Sequence, residues 1–157
     1  MKIIAVIPAR GGSKGIPNKN VRLLHGRPMV YYAISNALCS QYITKTIVTS
    51  DSMEVLSIAK CLGVYGKRRN SDLCTEETTL DTVVYDAVKD EQCDIVVTLQ
   101  PTSPTLQAET LDRAIQYFLN HDLDTLISVV NRPRLSWVKR EGMPVPVYKQ
   151  RLNRQYL

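Results

Sequence analysis

The sequence predicts a three-layer α/β/α fold with a mostly parallel central sheet. Apolar, β-branched runs alternate with amphipathic helical segments, and the central runs are apolar at nearly every position rather than at every second one. A strand apolar throughout is buried on both faces, and parallel strands joined by crossover helices bury them so. Loops that follow such strands gather along one sheet edge, where open α/β sheets take their ligands.

The elements follow in order. Lys2–Ile7 reads as a buried strand. Pro28 suits a helix N1 position, and Val30, Ile34, Ala37 and Leu38 make an apolar stripe through about Ser40. Thr44–Thr49 is the second strand, ended by Ser50-Asp51. Asp51 or Ser52 caps a helix that carries Val55, Leu56, Ile58, Ala59 and Leu62 and stops at Gly63. A short strand, Val64–Tyr65, leads into the charged loop Lys67-Arg68-Arg69-Asn70-Ser71-Asp72. Thr78 or Thr79 caps the next helix, which bears Val83, Val84, Ala87 and Val88 and runs through Lys89. Asp94–Leu99 is a β-branched strand. Beyond Gln100-Pro101-Thr102-Ser103-Pro104 come a helix with Leu111, Ala114, Ile115 and Phe118 and a last strand, Thr125–Val130. From Arg132 periodicity fades, and Pro133, Pro144 and Pro146 suggest an extended arm.

The segment after the first strand, from Pro8 to Asn20, combines glycines, a small hydroxyl and fixed cations. Glycines let a backbone approach closely, and N–H groups with Lys or Arg heads supply donors, so the loop is built to hold phosphate. Gly11-Gly12-Ser13-Lys14-Gly15 matches neither the P-loop spacing nor the dinucleotide fingerprint. Pro8 and Pro17 stiffen its two ends, which sets it apart from a mobile surface loop.

Charge supports the same reading. The net charge is +5, yet residues 1–50 carry seven Lys or Arg and no carboxylate, residues 51–131 are acidic, and the excess returns after Arg132. Clustered cations raise the local concentration of an anionic ligand. A nucleic acid is a poor candidate: the cations sit in Gly/Pro loops rather than along a helix, and no zinc-finger or aromatic RNA-binding pattern is present. A small polyanion fits better.

A length of 157 residues, 44% hydrophobic and 22% charged, suits one globular domain. No apolar run suggests a membrane span or the core of a signal peptide, so a cytoplasmic location is expected. Cys39, Cys61, Cys74 and Cys93 lack metal-ligand spacing and read as reduced, mostly buried thiols.

Taken together, Pro8-Ala9-Arg10-Gly11-Gly12-Ser13-Lys14-Gly15-Ile16-Pro17-Asn18-Lys19-Asn20 and Leu99-Gln100-Pro101-Thr102-Ser103-Pro104 resemble the acylneuraminate cytidylyltransferase family, the CMP-sialic acid synthetases. The two blocks agree in order, spacing and secondary-structure context. The resemblance implies a fold of the nucleotide-diphospho-sugar transferase, Rossmann-like type. It also implies a reaction: CTP and an acidic nine-carbon 2-keto sugar give the CMP-sugar and pyrophosphate, the anomeric hydroxyl attacking the α-phosphorus.

Carried over by resemblance, Lys19 and Arg10 are the catalytic candidates, Lys19 foremost at the α-phosphate. Ala9, Arg10, Gly11, Gly12, Ser13, Lys14, Lys19 and Asn20 form the nucleotide-binding set. Arg69 is added for the base, although Lys67, Arg68 and Arg69 offer three cations from which to choose, and a solvated charge cluster is the alternative. Thr79 could reach the base, but helix capping explains it as well. Gln100, Thr102 and Ser103 form the sugar wall. Lys139, with Arg140 as the alternative, and Arg154, with Arg151 as the alternative, complete the sugar set.

The family also implies Mg2+ and a homodimer. The Asp-x-Asp pair that would bind the metal lies further along in such proteins and has no counterpart in this sequence, so the metal ligands stay unknown. Residues 1–157 are accordingly expected to form a single nucleotidyltransferase domain without the family's C-terminal third. A catalytically silent CTP-binding domain, or fragment, is the alternative.

Overall fold

A computed structural model describes residues 1–13, 15–75, 77–129 and 137–146. Contacts group the chain into two compact units, Met1–Asp122 and Leu123–Leu157, where the sequence reading has one domain.

The first unit is built on β1 (Ile3–Pro8), whose residues Ile3 to Ile7 are at most 2% exposed. Alternate side chains serve opposite faces. Ile3, Ala5 and Ile7 pack with Val30, Ile34, Val55, Ala59, Leu111 and Ile115, while Ile4 and Val6 join Ile47 and Ala87. The first set brings α1 (Met29–Cys39), α2 (Met53–Cys61) and α4 (Ala108–Asn120) onto one face, and the second brings α3 (Leu80–Val88) onto the other. The sheet is thus covered on both sides, as its unbroken apolar strands require.

Beside β1 lie β4 (Lys45–Ser50) and β6 (Ile95–Thr98), and β5 (Tyr65–Arg68) follows β4. The order β5-β4-β1-β6 is parallel throughout, with Ile7 opposite Val48 and Ala5 opposite Val97. The chain winds outward from β1 through β4 to β5 and then returns to the opposite side of β1. That reversal places the topological switch point between β1 and β6, above their carboxyl ends.

Local chemistry sets the helix boundaries. Pro28, with φ −56°, leads directly into α1, whose buried Val30, Ala33, Ile34 and Ala37 follow the i, i+3, i+4, i+7 pattern. Leu38, read as part of that stripe, is exposed because it falls off the buried face. Ser52 caps α2 by accepting from the Val55 N–H, and Gly63 ends the helix at φ +73°. Thr79 caps α3 by accepting from the Thr82 N–H at 3.3 Å. Because Ile34 is fully buried at the centre of the larger core cluster, Ile34→Ala leaves a cavity. It should cost about 2–5 kcal/mol, read as a lowered urea midpoint at unchanged m-value.

Residues 23–28, assigned no element by the sequence beyond Pro28 at the helix start, form a hairpin, β2 (Leu23–Leu24) with β3 (Arg27–Pro28), turned at His25 and Gly26 with φ +51° and +78°. Four expectations are corrected. The third strand of the sheet runs to Arg68, so Lys67 and Arg68, expected in a loop, stand on β5. In the second unit, β7 (Trp137–Arg140) and β8 (Met143–Pro146) form an antiparallel hairpin instead of an extended arm. Its turn, Glu141-Gly142, again has both φ values positive. The strand expected over Thr125–Val130 is not formed at 125–129, and Val130 lies outside the described residues. Leu126, Ile127 and Val129 are exposed there, and β-branched composition makes no strand where the backbone has no ladder to join. Cys39 and Cys61 are exposed rather than buried, since each is the last residue of its helix, and Cys74 and Cys93 are half-buried; all four are free thiols. No described helix is long and apolar enough to cross a membrane.

Candidate active site

A cleft of about 530 Å³ opens at the switch point, lined by Pro8, Arg10, Ser13, Gly15, Ile16, Lys19 and Asn20 after β1 and by Gln100, Pro101 and Thr102 after β6. Arg69, beyond β5, and Val83, on α3, complete the lining. Cavities that take small molecules span roughly 300–1,000 Å³. Segments remote in sequence meet here because parallel strands end together.

The loop after β1 is tied residue by residue to the end of β4. The Ala9 N–H donates to the Thr49 carbonyl at 3.0 Å, and the Ser50 hydroxyl donates to the Ala9 carbonyl at 2.6 Å. The amide nitrogen of Asn20, buried at 6% exposure, donates to the Arg10 carbonyl at 2.9 Å. The Gly11 N–H donates to Asp51 Oδ1 at 2.7 Å. A Cβ at Gly11 would stand 3.2 Å from the Ser52 Cβ, so a larger residue there would crowd the start of α2. Gly12 faces open space. Lys19 opens a single helical turn, Lys19–Val21, which brings its side chain to the cleft.

Of the three neighbouring cations, the fold sends each elsewhere. Lys67 donates to the Asp86 carbonyl and pairs with Asp90 at 3.6 Å. Arg68 is exposed at the end of β5. Arg69, 6% exposed, donates through Nη2 to the Thr49 carbonyl at 2.9 Å and through Nε to the Thr49 hydroxyl at 3.4 Å. Burial pushes its guanidinium below the ordinary arginine value, the nearby Cys74 and Asp51 acting against that shift. A guanidinium keeps its charge under such conditions, so a desolvated cation faces the cleft.

After β6, the Gln100 side chain is exposed and accepts weakly from the Thr102 hydroxyl at 3.4 Å, while the Ser103 N–H closes the turn on the Gln100 carbonyl at 3.1 Å. Arg10, Ser13, Lys19, Asn20, Arg69, Gln100 and Thr102 therefore share one cleft. Ala9 is fully buried, its polar groups facing the sheet. Thr79 is engaged with Thr82 at the start of α3. Ser103 is exposed and outside the lining. Lys139 is exposed on β7 in the second unit, and Lys14 and Arg154 lie outside the described residues.

Sequence reasoning missed Val83 and Asp51. Val83 belongs to the apolar stripe of α3 and carries no signal that separates a cleft wall from core packing. Asp51 follows a strand end and reads as a helix cap, the role Ser52 performs. Among the described residues no cluster of three His, Cys, Asp or Glu side chains could hold a metal. The cleft presents cations and amides, and the Asp51 carboxylate is engaged by Gly11, so the described residues suit an anion rather than a divalent cation.

A parallel sheet with a Gly-rich, cationic loop at its switch point is an open α/β domain of the kind that takes its ligands at the strands' carboxyl edge. The cytidylyltransferase family model matches residues 4–141, and the chain belongs to that family. The two motifs that resemble the CMP-sialic acid synthetases thus sit in a matching context. The chain is 31% identical over 140 residues to N-acylneuraminate cytidylyltransferase A of Danio rerio, covering 88% of this chain and 33% of that protein. It is 38% identical over 122 residues to CMP-N,N'-diacetyllegionaminic acid synthase of Legionella pneumophila, covering 74% and 53%. It therefore spans a third to about half the length of these relatives. In fold, it superposes on CMP:2-keto-3-deoxy-manno-octonic acid synthetase, solved in complex with CTP, with a TM-score of 0.68 at 24% identity. That superposition covers 76% of this chain and 48% of the other.

Proposed function

We propose that the chain supplies the nucleotide site for transfer of CMP from CTP to the anomeric hydroxyl of an acidic nine-carbon 2-keto sugar, with release of pyrophosphate. The observation that carries this reading is the meeting of Arg10, Lys19 and Arg69 in one cleft faced by Gln100. In the reaction the sugar oxygen forms a bond to the α-phosphorus while the bond from that phosphorus to the bridging oxygen of pyrophosphate breaks. Charge develops on phosphate oxygens throughout, so positioning and electrostatic stabilisation carry the catalysis.

Each wall has a part in it. Arg10, the Ser13 hydroxyl and the Gly12 N–H hold the polyphosphate, the Gly11 and Ser13 N–H groups being engaged within the protein; Lys19 neutralises charge at the α-phosphate, and Arg69 binds the nucleotide from its buried position. Gln100 and Thr102 meet the acceptor sugar. The nucleotide enters as its magnesium salt, which lowers the charge that the loop must meet. The relatives' names span sialic, legionaminic and 3-deoxy-manno-octulosonic acids, all acidic 2-keto sugars, and the nine-carbon acceptor is favoured by the two motifs that resemble the sialic acid synthetases.

Pyrophosphate release tests the reading, measured with magnesium, CTP and a panel of 2-keto sugar acids against ATP, GTP and UTP controls. Release that requires CTP together with one of the sugars supports it. Absence of CTP binding in calorimetry overturns it. A second reading, CTP binding without turnover, predicts binding with no release.

Gln100 supplies a finer prediction. Its side chain is exposed and lines the cleft. Gln100→Ala should raise KM for the sugar about tenfold, the equivalent of one neutral hydrogen bond, and leave KM for CTP unchanged.

A further inference from the structure

The Asp51 side chain has two conventional readings at the end of β4, as a cap for α2 or as a metal ligand, and the structure supports a different one. Ser52 already caps the helix, its hydroxyl accepting from the Val55 N–H. Asp51 Oδ1 instead accepts from the Gly11 N–H at 2.7 Å, across a sequence separation of 40 residues. We infer that Asp51 is a positioning residue for the phosphate-binding loop, fixing the Gly11 amide so that the backbone from Gly11 to Ser13 keeps the curve that receives the polyphosphate. The inference rests on the function proposed above and deepens it.

Asp51 completes a continuous clasp. The Ala9 N–H is held by Thr49, the Ala9 carbonyl by Ser50, the Arg10 carbonyl by Asn20 and the Gly11 N–H by Asp51. Three consecutive residues of a loop rich in glycine are thus anchored to β4 and to the turn at Asn20. Glycine loses more conformational freedom on ordering than any other residue, so a loop left free would bear that cost each time it binds phosphate. A carboxylate beside a phosphate site is otherwise unfavourable. Here its oxygen is occupied by a backbone donor, and Asp51 lies close enough to Arg69 to oppose the lowering of that guanidinium by burial.

The hydrogen bond requires an acceptor oxygen and not a negative charge, and this separates positioning from metal ligation. Calorimetric titrations of the parent chain, Asp51→Ala and Asp51→Asn with CTP, inorganic triphosphate and cytidine test it. Asp51→Ala should weaken CTP and triphosphate about tenfold and leave cytidine within twofold. Asp51→Asn, whose amide oxygen accepts from the same N–H, should recover most of that loss. Amide exchange at Gly11 should be slow in the parent and in Asp51→Asn, and fast in Asp51→Ala.

Equal binding of CTP by Asp51→Ala and the parent overturns the inference, as does an Asp51→Asn variant impaired as severely as Asp51→Ala. Loss of cytidine in step with CTP also overturns it, because that pattern reports general disruption. A parent chain that binds neither CTP nor triphosphate removes the proposed function, and this inference falls with it. A parent that binds both while the variants fail the pattern removes the inference alone.

Discussion

Lys19→Ala should lower CMP transfer by about 100- to 1,000-fold, the usual cost of removing one preorganised donor from developing transition-state charge. The reason lies in where Lys19 stands. It opens a single helical turn whose backbone is fixed by bonds from the Lys19 N–H to the Ile16 carbonyl and from the Val21 N–H to the Asn18 carbonyl, and its side chain lines the cleft at the switch point. Alanine suits that backbone, and the side chain is partly exposed, so the variant should fold with an unchanged urea midpoint. If Lys19 acts on the α-phosphate during the reaction, kcat falls while the affinity for CTP drops only a few-fold. Equal losses in kcat/KM and in CTP affinity would instead make it a ground-state ligand of the triphosphate. A variant with parental turnover would remove Lys19 from the site altogether.

The sequence was most legible where one constraint sufficed. A strand without a polar residue from Ile3 to Ile7 can only be central, and the Gly-rich cationic stretch after it can only follow at the sheet's carboxyl edge. Less was legible where the outcome depends on pairing. Both small hairpins turn on a two-residue X-Gly unit, His25-Gly26 and Glu141-Gly142, flanked by strands of only two and four residues. Runs so short give no period-2 signal, and the prolines in Arg27-Pro28 and Met143–Pro146 argue against strand unless an edge position is allowed for. Thr125–Val130 shows the converse, a strong strand composition with no ladder over its described residues.

Within the site, residue type was legible and direction was not. Lys67, Arg68 and Arg69 are equivalent cations on paper, but β5 extends to Arg68, so alternation sends Lys67 towards α3 and leaves Arg69 to turn in over the end of β4. Asp51 was legible as a strand-end carboxylate and a candidate helix cap, a role that Ser52 takes. Its partner is the Gly11 amide, and a contact across 40 residues has no local signature.

Arg69→Met should separate stability from function more sharply than any other single change. Among the described residues no ion pair involves Arg69; its donors reach only the Thr49 carbonyl and hydroxyl, and burial disfavours its charge. Such a cation contributes little to folding, because desolvation offsets what two neutral acceptors return. An apolar side chain of similar length avoids the desolvation and keeps the packing, at the cost of a hydrogen bond to the Thr49 carbonyl. The urea midpoint should therefore shift by less than the equivalent of about 1.5 kcal/mol in either direction. Binding should behave otherwise. A charged donor held in a low-dielectric wall is worth about 1.5–3 kcal/mol to the acceptor it meets, so the affinity for CTP should fall roughly 10- to 150-fold. Comparing cytidine with triphosphate locates the contact: a loss concentrated in cytidine assigns Arg69 to the nucleoside, and one concentrated in triphosphate assigns it to the polyphosphate. A variant that binds both as the parent does would leave the buried guanidinium without a part in the site, and the proposed nucleotide pocket would lose its innermost wall.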